Sequence, residues 1–89
     1  MVKTIIFDES NVNWVNNYKI NRLSIEQYTR VLYDRLRLKG YVYLDRIYDT
    51  FGANWNPEEP NDCIRYGVNQ FVLSETHLND NRFEINIYY

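Results

Sequence analysis

Side chains able to move protons, hold metals or attack electrophiles are few in this chain, and their spacing limits the chemistry open to it. Carboxylates work in pairs when both can reach one ion or one proton, and the sequence offers two doublets, Asp8-Glu9 and Glu58-Glu59. Adjacent side chains on an extended segment point to opposite faces. Neither doublet therefore makes a two-carboxylate site by itself, and both read as solvated turn charges. His77 is the only histidine and sits among Thr76 and Asn79, where a solvated imidazole is expected. Cys63 has no second thiol or histidine at zinc-ligand spacing. A Cys63–His77 nucleophile pair requires the fold to bring the two together. Ser24 is accounted for by helix capping, and Gly40, Gly52 and Gly67 are too far apart for either nucleotide-binding fingerprint. The expectation is a protein that is not an enzyme, with no cofactor and no metal site.

Charge is distributed more tellingly than its net value of −2 suggests. Lys19, Arg22, Arg30, Arg35, Arg37, Lys39 and Arg46 stand against only Glu26, Asp34 and Asp45, so residues 19–46 carry +4 and the remainder −6. A basic helix can steer association with an acidic protein surface, or with the acidic loop of a second copy around Glu58 and Glu59. Trp55, flanked by Asn54 and Asn56 and followed by Pro57 and Pro60, reads either as an interface anchor or as a cap folded back on a small core. The expected protein-binding set is Trp55, Arg30, Arg35, Arg37, Tyr33, Tyr41, Tyr43, Glu58 and Glu59. The same arginines beside Tyr41 and Tyr43 suit a nucleic-acid backbone with stacked bases, a less favoured partner because the pI is near 5.3. Two short helices followed by a hairpin are also similar to a winged helix-turn-helix, but Asp45 and Asp49 on the second helix would face phosphates.

Those residues must be positioned by a chain of 89 residues, one domain spanning 1–89 with room for one core. A single cysteine gives no intrachain disulfide, so the expected stability of about 4–13 kcal/mol must come from packing. Nine Tyr and a dozen Asn against a single Ala make a polar-aromatic composition that suits interfaces and is also what AT-rich codons supply. With no long apolar run and no leader pattern, no membrane partner is expected, and the expected location is the cytoplasm or a virion.

Lys3–Phe7 reads as a buried strand ending in a turn at Asp8–Asn11. Asparagine density leaves residues 11–22 as strand or loop. Ser24 and Gln27 form a capping-box pattern with Leu23 and Tyr28 as its hydrophobic staple, which predicts a helix over 25–39 ending at Gly40. Tyr41–Tyr43 is extended, and Leu44, Ile47, Tyr48 and Phe51 predict a second helix over 44–51 that stops at Gly52. Residues 53–62 are an irregular loop. Phe71–Ser74 and Phe83–Tyr88 alternate as strands joined by a long polar connection over 76–82. The fold class is α+β: a small three-stranded antiparallel sheet covered on one face by two helices, in the order β-α-α-β-β. Ile5, Phe7, Tyr28, Leu32, Leu36, Leu44, Ile47, Phe51, Phe71, Leu73, Ile85 and Ile87 are the expected core.

The run Val31–Gly52, with Gly40-Tyr41-Val42-Tyr43-Leu44 leading to Ile47-Tyr48 and Phe51-Gly52, resembles a pattern in uncharacterised proteins of bacteriophages and Gram-positive mobile elements. Those proteins continue with a Gly-Trp loop, where this chain has Arg65-Tyr66-Gly67-Val68 and no Trp. The resemblance covers about a quarter of the chain, and no activity follows from it. It implies an origin, a phage or mobile element, whose small proteins are often virion components or binders of host defence proteins. The missing catalytic constellation and the Tyr/Asn-rich, charge-divided surface then make protein binding the expected function, for example inhibition of a host defence protein. The alternatives are a virion structural subunit and a nucleic-acid-binding winged-helix-like module.

Overall fold

A computed structural model describes all residues from Met1 to Tyr89. Strand β1 (Val2–Phe7) leads to helix α1 (Tyr18–Lys39), strand β2 (Tyr41–Tyr43), helix α2 (Leu44–Phe51) and strands β3 (Cys63–Arg65), β4 (Val72–Asn79) and β5 (Arg82–Tyr88). The class is α+β, as expected. The order differs from the expected β-α-α-β-β because β2 and β3 form a second, two-stranded antiparallel sheet. Three-residue strands are too short to show the alternation by which strands are read from sequence.

The larger sheet is antiparallel in the order β1-β5-β4, so the two ends of the chain lie side by side. The Met1 amino group donates to the Tyr89 carbonyl at 2.7 Å, and the Tyr89 amide donates back to Met1 at 3.0 Å. Register sets the faces: Ile5 opposes Ile85 and Phe7 opposes Phe83, and these side chains are buried. The other face carries Thr4, Asn86 and Ser74 in one row, with Thr4 donating to Asn86 at 2.9 Å.

Helix α1 begins about two turns before the expected start, which corrects the boundary predicted from Ser24 and places Tyr18–Arg22, expected as strand or loop, inside the helix. Asn17 is the true N-cap, its extended backbone presenting Oδ1 to the amide of Ile20 at 3.0 Å. Ser24 and Gln27 therefore lie inside the helix, and Leu23 is 65% exposed, so no staple forms. What carries the helix upstream is Asn21, which continues the inward stripe of Ile25, Leu32 and Leu36. Its fully buried side chain accepts from the Val15 amide and donates to the carbonyls of Val15 and Asn81. At the other end Gly40 takes the left-handed conformation expected of it, as does Gly52 after α2.

Helix α2 coincides with its expected range. Its first turn is capped by another segment: Asn61 Oδ1 accepts from the Asp45 amide at 2.9 Å, and the Asp62 carbonyl accepts from Leu44 at 3.1 Å. A second correction concerns the hairpin. β4 runs on to Asn79, with a bulge between His77 and Asn79, and a two-residue turn at Asp80-Asn81 replaces the expected long connection. Asp80 takes a φ of +46°, which suits its short polar side chain. His77 is thus a strand residue, its ring lying against Phe83 and Tyr18 and its Nε2 donating to the Asp80 carbonyl.

Fourteen buried apolar residues form one contiguous core. Ten of the twelve expected are among them, while Tyr28 and Leu73 pack against its edge. Val42 and Ile64 join through the small sheet, and Ile25 and Phe83 complete the stripes of α1 and β5. No helix is long and apolar enough to cross a membrane.

Candidate functional site

β2, α2, the end of α1 and the loop after Gly52 enclose an open cleft of about 680 Å³. Tyr41 and Tyr43 form one wall because residues two apart on a strand share a face. Val42 between them points inward and is buried against the core, as is its partner Ile64. The two tyrosine rings meet edge to face with centroids 5.9 Å apart, and both remain more than 40% exposed. Arg35 reaches in from α1, and Trp55 with Ala53 and Asn54 closes the far side.

The cleft's other side comes from α2. Leu44, Ile47 and Phe51 are buried, which turns Asp45, Arg46 and Asp49 outward into the cleft. Sequence reasoning counted these three as charges and did not propose them as site residues. The α2 apolar stripe was the signal that would have placed them. None of Arg35, Arg46, Asp45 and Asp49 makes an ion pair within 4 Å, so the cleft presents two guanidinium and two carboxylate groups beside its aromatic rings. Such groups are available for hydrogen bonds to a partner.

Trp55 is held rather than free. Its ring meets Tyr48 edge to face at 4.9 Å and packs against the core, so it both caps the core and lines the cleft. Its loop is fastened at several points. Lys3 donates to Glu59 at 2.7 Å, and that hydrogen bond raises the Lys3 pKa. Tyr89 donates to Asp62 at 3.0 Å, its phenol raised first by burial and then by that bond. Burial also raises Tyr48, directly under the indole. A loop tied in this way loses little further freedom on binding.

Four of the nine expected binding residues, Arg35, Tyr41, Tyr43 and Trp55, come together here. The other five lie elsewhere. Tyr33 serves the fold: its hydroxyl accepts from the Leu73 amide at 3.0 Å, and its ring meets Phe71 at 5.2 Å. Arg30 faces a separate groove between α1 and β4. Arg37 pairs with Asp34 along the helix at 2.9 Å, Glu59 is taken by Lys3, and Glu58 projects into solvent from the loop turn. Cys63 is half-buried, and no group of three or more His, Cys, Asp or Glu side chains is placed to hold a metal ion.

Comparison of the chain with protein-family models, with curated proteins and with solved structures gave no match.

Proposed function

We propose that this protein is a non-enzymatic protein-binding module that engages its partner through the cleft formed by Tyr41, Tyr43, Trp55, Arg35 and Arg46. The observation that carries this reading is the convergence of three aromatic residues with two unpaired guanidinium groups on a rigidly held scaffold. Tyr, Trp and Arg are the residue types on which binding energy concentrates, since they offer large contact area with few rotors to freeze. Asp45 and Asp49 add acceptors at the rim, so the matching surface carries charges of both signs. On the origin implied by residues 31–52, the partner is a host protein, and the site of action is the host cytoplasm or the virion.

The test is capture of binding partners from the native host by the immobilised chain and by a Tyr41→Ala/Tyr43→Ala variant shown to be folded. A protein retained by the first and lost by the second supports the cleft. Equal retention removes the cleft from the interface. A nucleic-acid reading draws on the same two tyrosines and on Arg35 and Arg46, as stacking rings beside cations are what single strands require. Asp45 and Asp49 in the same cleft oppose phosphates. Retention on single-stranded DNA or RNA that falls steeply with salt would favour it.

A further inference from the structure

One edge of the larger sheet has no strand beside it. β4 pairs only with β5, and its other edge borders a groove of about 360 Å³ beneath α1, lined among others by Ile25, Glu26, Thr29, Arg30 and Glu75. None of these residues belongs to the aromatic cleft.

Which backbone groups of β4 are open follows from two independent bonds. In an antiparallel strand the N–H and C=O of one residue point to the same side, and successive residues alternate. The Leu73 amide donates to the Tyr33 hydroxyl on α1, so Leu73, Glu75 and His77 point away from β5. Tyr89 exchanges bonds with Met1, so every second residue back along β5 faces β1, leaving Tyr88, Asn86 and Glu84 to bond Val72, Ser74 and Thr76. Both give the same parity. Tyr33 occupies the edge at Leu73, a bulge interrupts it after His77, and Glu75 and His77 remain open. Of the devices that protect exposed edges, this strand has a bulge beyond His77 and the inward-facing charge of Glu75, but no Lys or Pro between Leu73 and His77.

We propose that this edge joins a second copy of the chain, β4 against β4 about a two-fold axis at Thr76, merging the two larger sheets into one antiparallel sheet. In that register each Glu75 exchanges both backbone bonds with the partner's His77, and the two Thr76 residues face each other as a non-hydrogen-bonded pair. Glu75 and His77 share the helix-covered face, so each carboxylate lies opposite an imidazole. The neighbouring registers fail on the observations above. An axis at Glu75 sets carboxylate against carboxylate, an axis at Ser74 needs the amide that Tyr33 already holds, and an axis at His77 runs into the bulge. On α1, Glu26, which pairs with Arg22 at 3.7 Å, and Arg30 stand one turn apart beside the groove, so the rim of the edge carries both signs of charge, as a self-complementary contact requires. A surface whose two signs complement themselves under a two-fold fits its own copy better than a peptide of one charge.

Sedimentation over a concentration series tests this. The wild-type chain is expected to form a dimer, and Thr76→Lys, which sets two ammonium groups face to face at the axis, should shift it to the monomer with unchanged circular dichroism and a cooperative melt that no longer depends on protein concentration. In a Cys63→Ser background, Thr76→Cys should form a covalent dimer under added oxidant, because non-hydrogen-bonded pairs bring Cβ atoms about 4.5–5.5 Å apart. Thr4→Cys, on the opposite edge strand, should not. Should Thr76→Lys fail to fold, the cross-link decides. A wild-type chain that stays monomeric at every concentration reached overturns the proposal, as does a dimer without a Thr76→Cys cross-link or one that a folded Thr76→Lys leaves intact.

Discussion

Replacing Gly52 by alanine should cost far more than the same change at Gly40, although both glycines end a helix in the left-handed conformation, at φ of +79° and +85°. Each alanine meets the same backbone penalty of about 1–2 kcal/mol. Each also gains the same restriction of the unfolded chain, about 0.4–1 kcal/mol. These contributions cancel between the two variants, so their difference isolates the surroundings. Around Gly40 nothing lies within 4 Å of the added carbon, whereas at Gly52 it would stand 2.5 Å from Asn13 Cγ and 2.9 Å from Asn11 Oδ1. Those side chains must move. Asn11 Oδ1 accepts from the Asn13 amide at 2.9 Å, and Asn13 Nδ2 donates to the Thr50 carbonyl at 3.4 Å. Asn11 is buried and its Nδ2 already lacks a partner, so it has no alternative bond to fall back on. Losing one such interaction strands a buried polar group at about 1–3 kcal/mol. Gly52→Ala should therefore be less stable than Gly40→Ala by about 1–3 kcal/mol, with roughly 4–8 °C of melting temperature for each kcal/mol. Urea denaturation with a common m-value is the assay. Midpoints that agree within about 0.5 kcal/mol would refute the claim that Asn11 and Asn13 pack rigidly against the end of α2, since changes at unconstrained surface sites fall within that range.

Leu32→Ala and Ile47→Ala should each cost about 2–5 kcal/mol, because both side chains are fully buried in the core. Equilibrium unfolding checks this, and a change at exposed Leu38 sets the surface reference. Tyr43→Ala should lower partner affinity at a stability cost of no more than the edge contact with Tyr41, about 0.5–1.5 kcal/mol, whereas Trp55→Ala should lower both and cost more stability, because its ring meets Tyr48 and also packs against the core. Calorimetric titration with the captured partner, paired with melting curves, separates the two. On the acid side, hydrogen bonds from the Ser10 side chain and backbone lower the Asp8 pKa, and the Arg82 guanidinium lowers that of Glu9. Carboxylates depressed by folding contribute stability that is present above their unfolded pKa and lost as pH falls through the folded one. Arg82→Gln should therefore weaken the protein near neutrality and flatten its loss of stability toward acid. A denaturation midpoint whose slope against pH is unchanged would count against the pair.

What was legible in the sequence divides along the difference between local and tertiary causes. Leu44, Ile47 and Phe51 with a terminal Gly52 are local signals, and α2 begins and ends where they place it. The start of α1 was not legible in this way. Ser24 and Gln27 satisfy the capping-box pattern, but Asn17 caps the helix and Asn21 is drawn into it by bonds to Val15 and Asn81, the latter 60 residues away. Asparagine read singly favours turns; here a buried asparagine is a tertiary connector whose partners no local window contains. The length of β4 was hidden for a related reason. Its inward side chains beyond Leu73 are Glu75 and His77, so apolar alternation stops while pairing with β5 continues. Within the cleft, Tyr41, Tyr43, Arg35 and Trp55 were legible as residue types, but their meeting depends on the β2–β3 pairing, which three-residue strands do not announce.

Asparagine and tyrosine, the two residues that dominate the composition, divide the work between holding the fold and offering a surface. Asn11, Asn13, Asn16, Asn17, Asn21 and Asn81 bind the first loop to the start of α1, the end of α2 and the β4–β5 turn. Asn61 caps α2 from the Trp55 loop. A genomic bias toward AT-rich codons explains why asparagine is abundant and leaves open where it sits; burial of Asn11 and Asn21 with their side-chain bonds gives those positions a structural cause. Tyrosine splits further. Tyr28, Tyr48 and Tyr89 pack against the core and Tyr33 guards the sheet edge, whereas Tyr41 and Tyr43 meet only each other at their rings. The edge contact between Tyr41 and Tyr43 gives the fold about 0.5–1.5 kcal/mol, while nearly half of each side chain stays in solvent beside unpaired arginines. A binding surface is the role in which their size and their hydroxyls are both used.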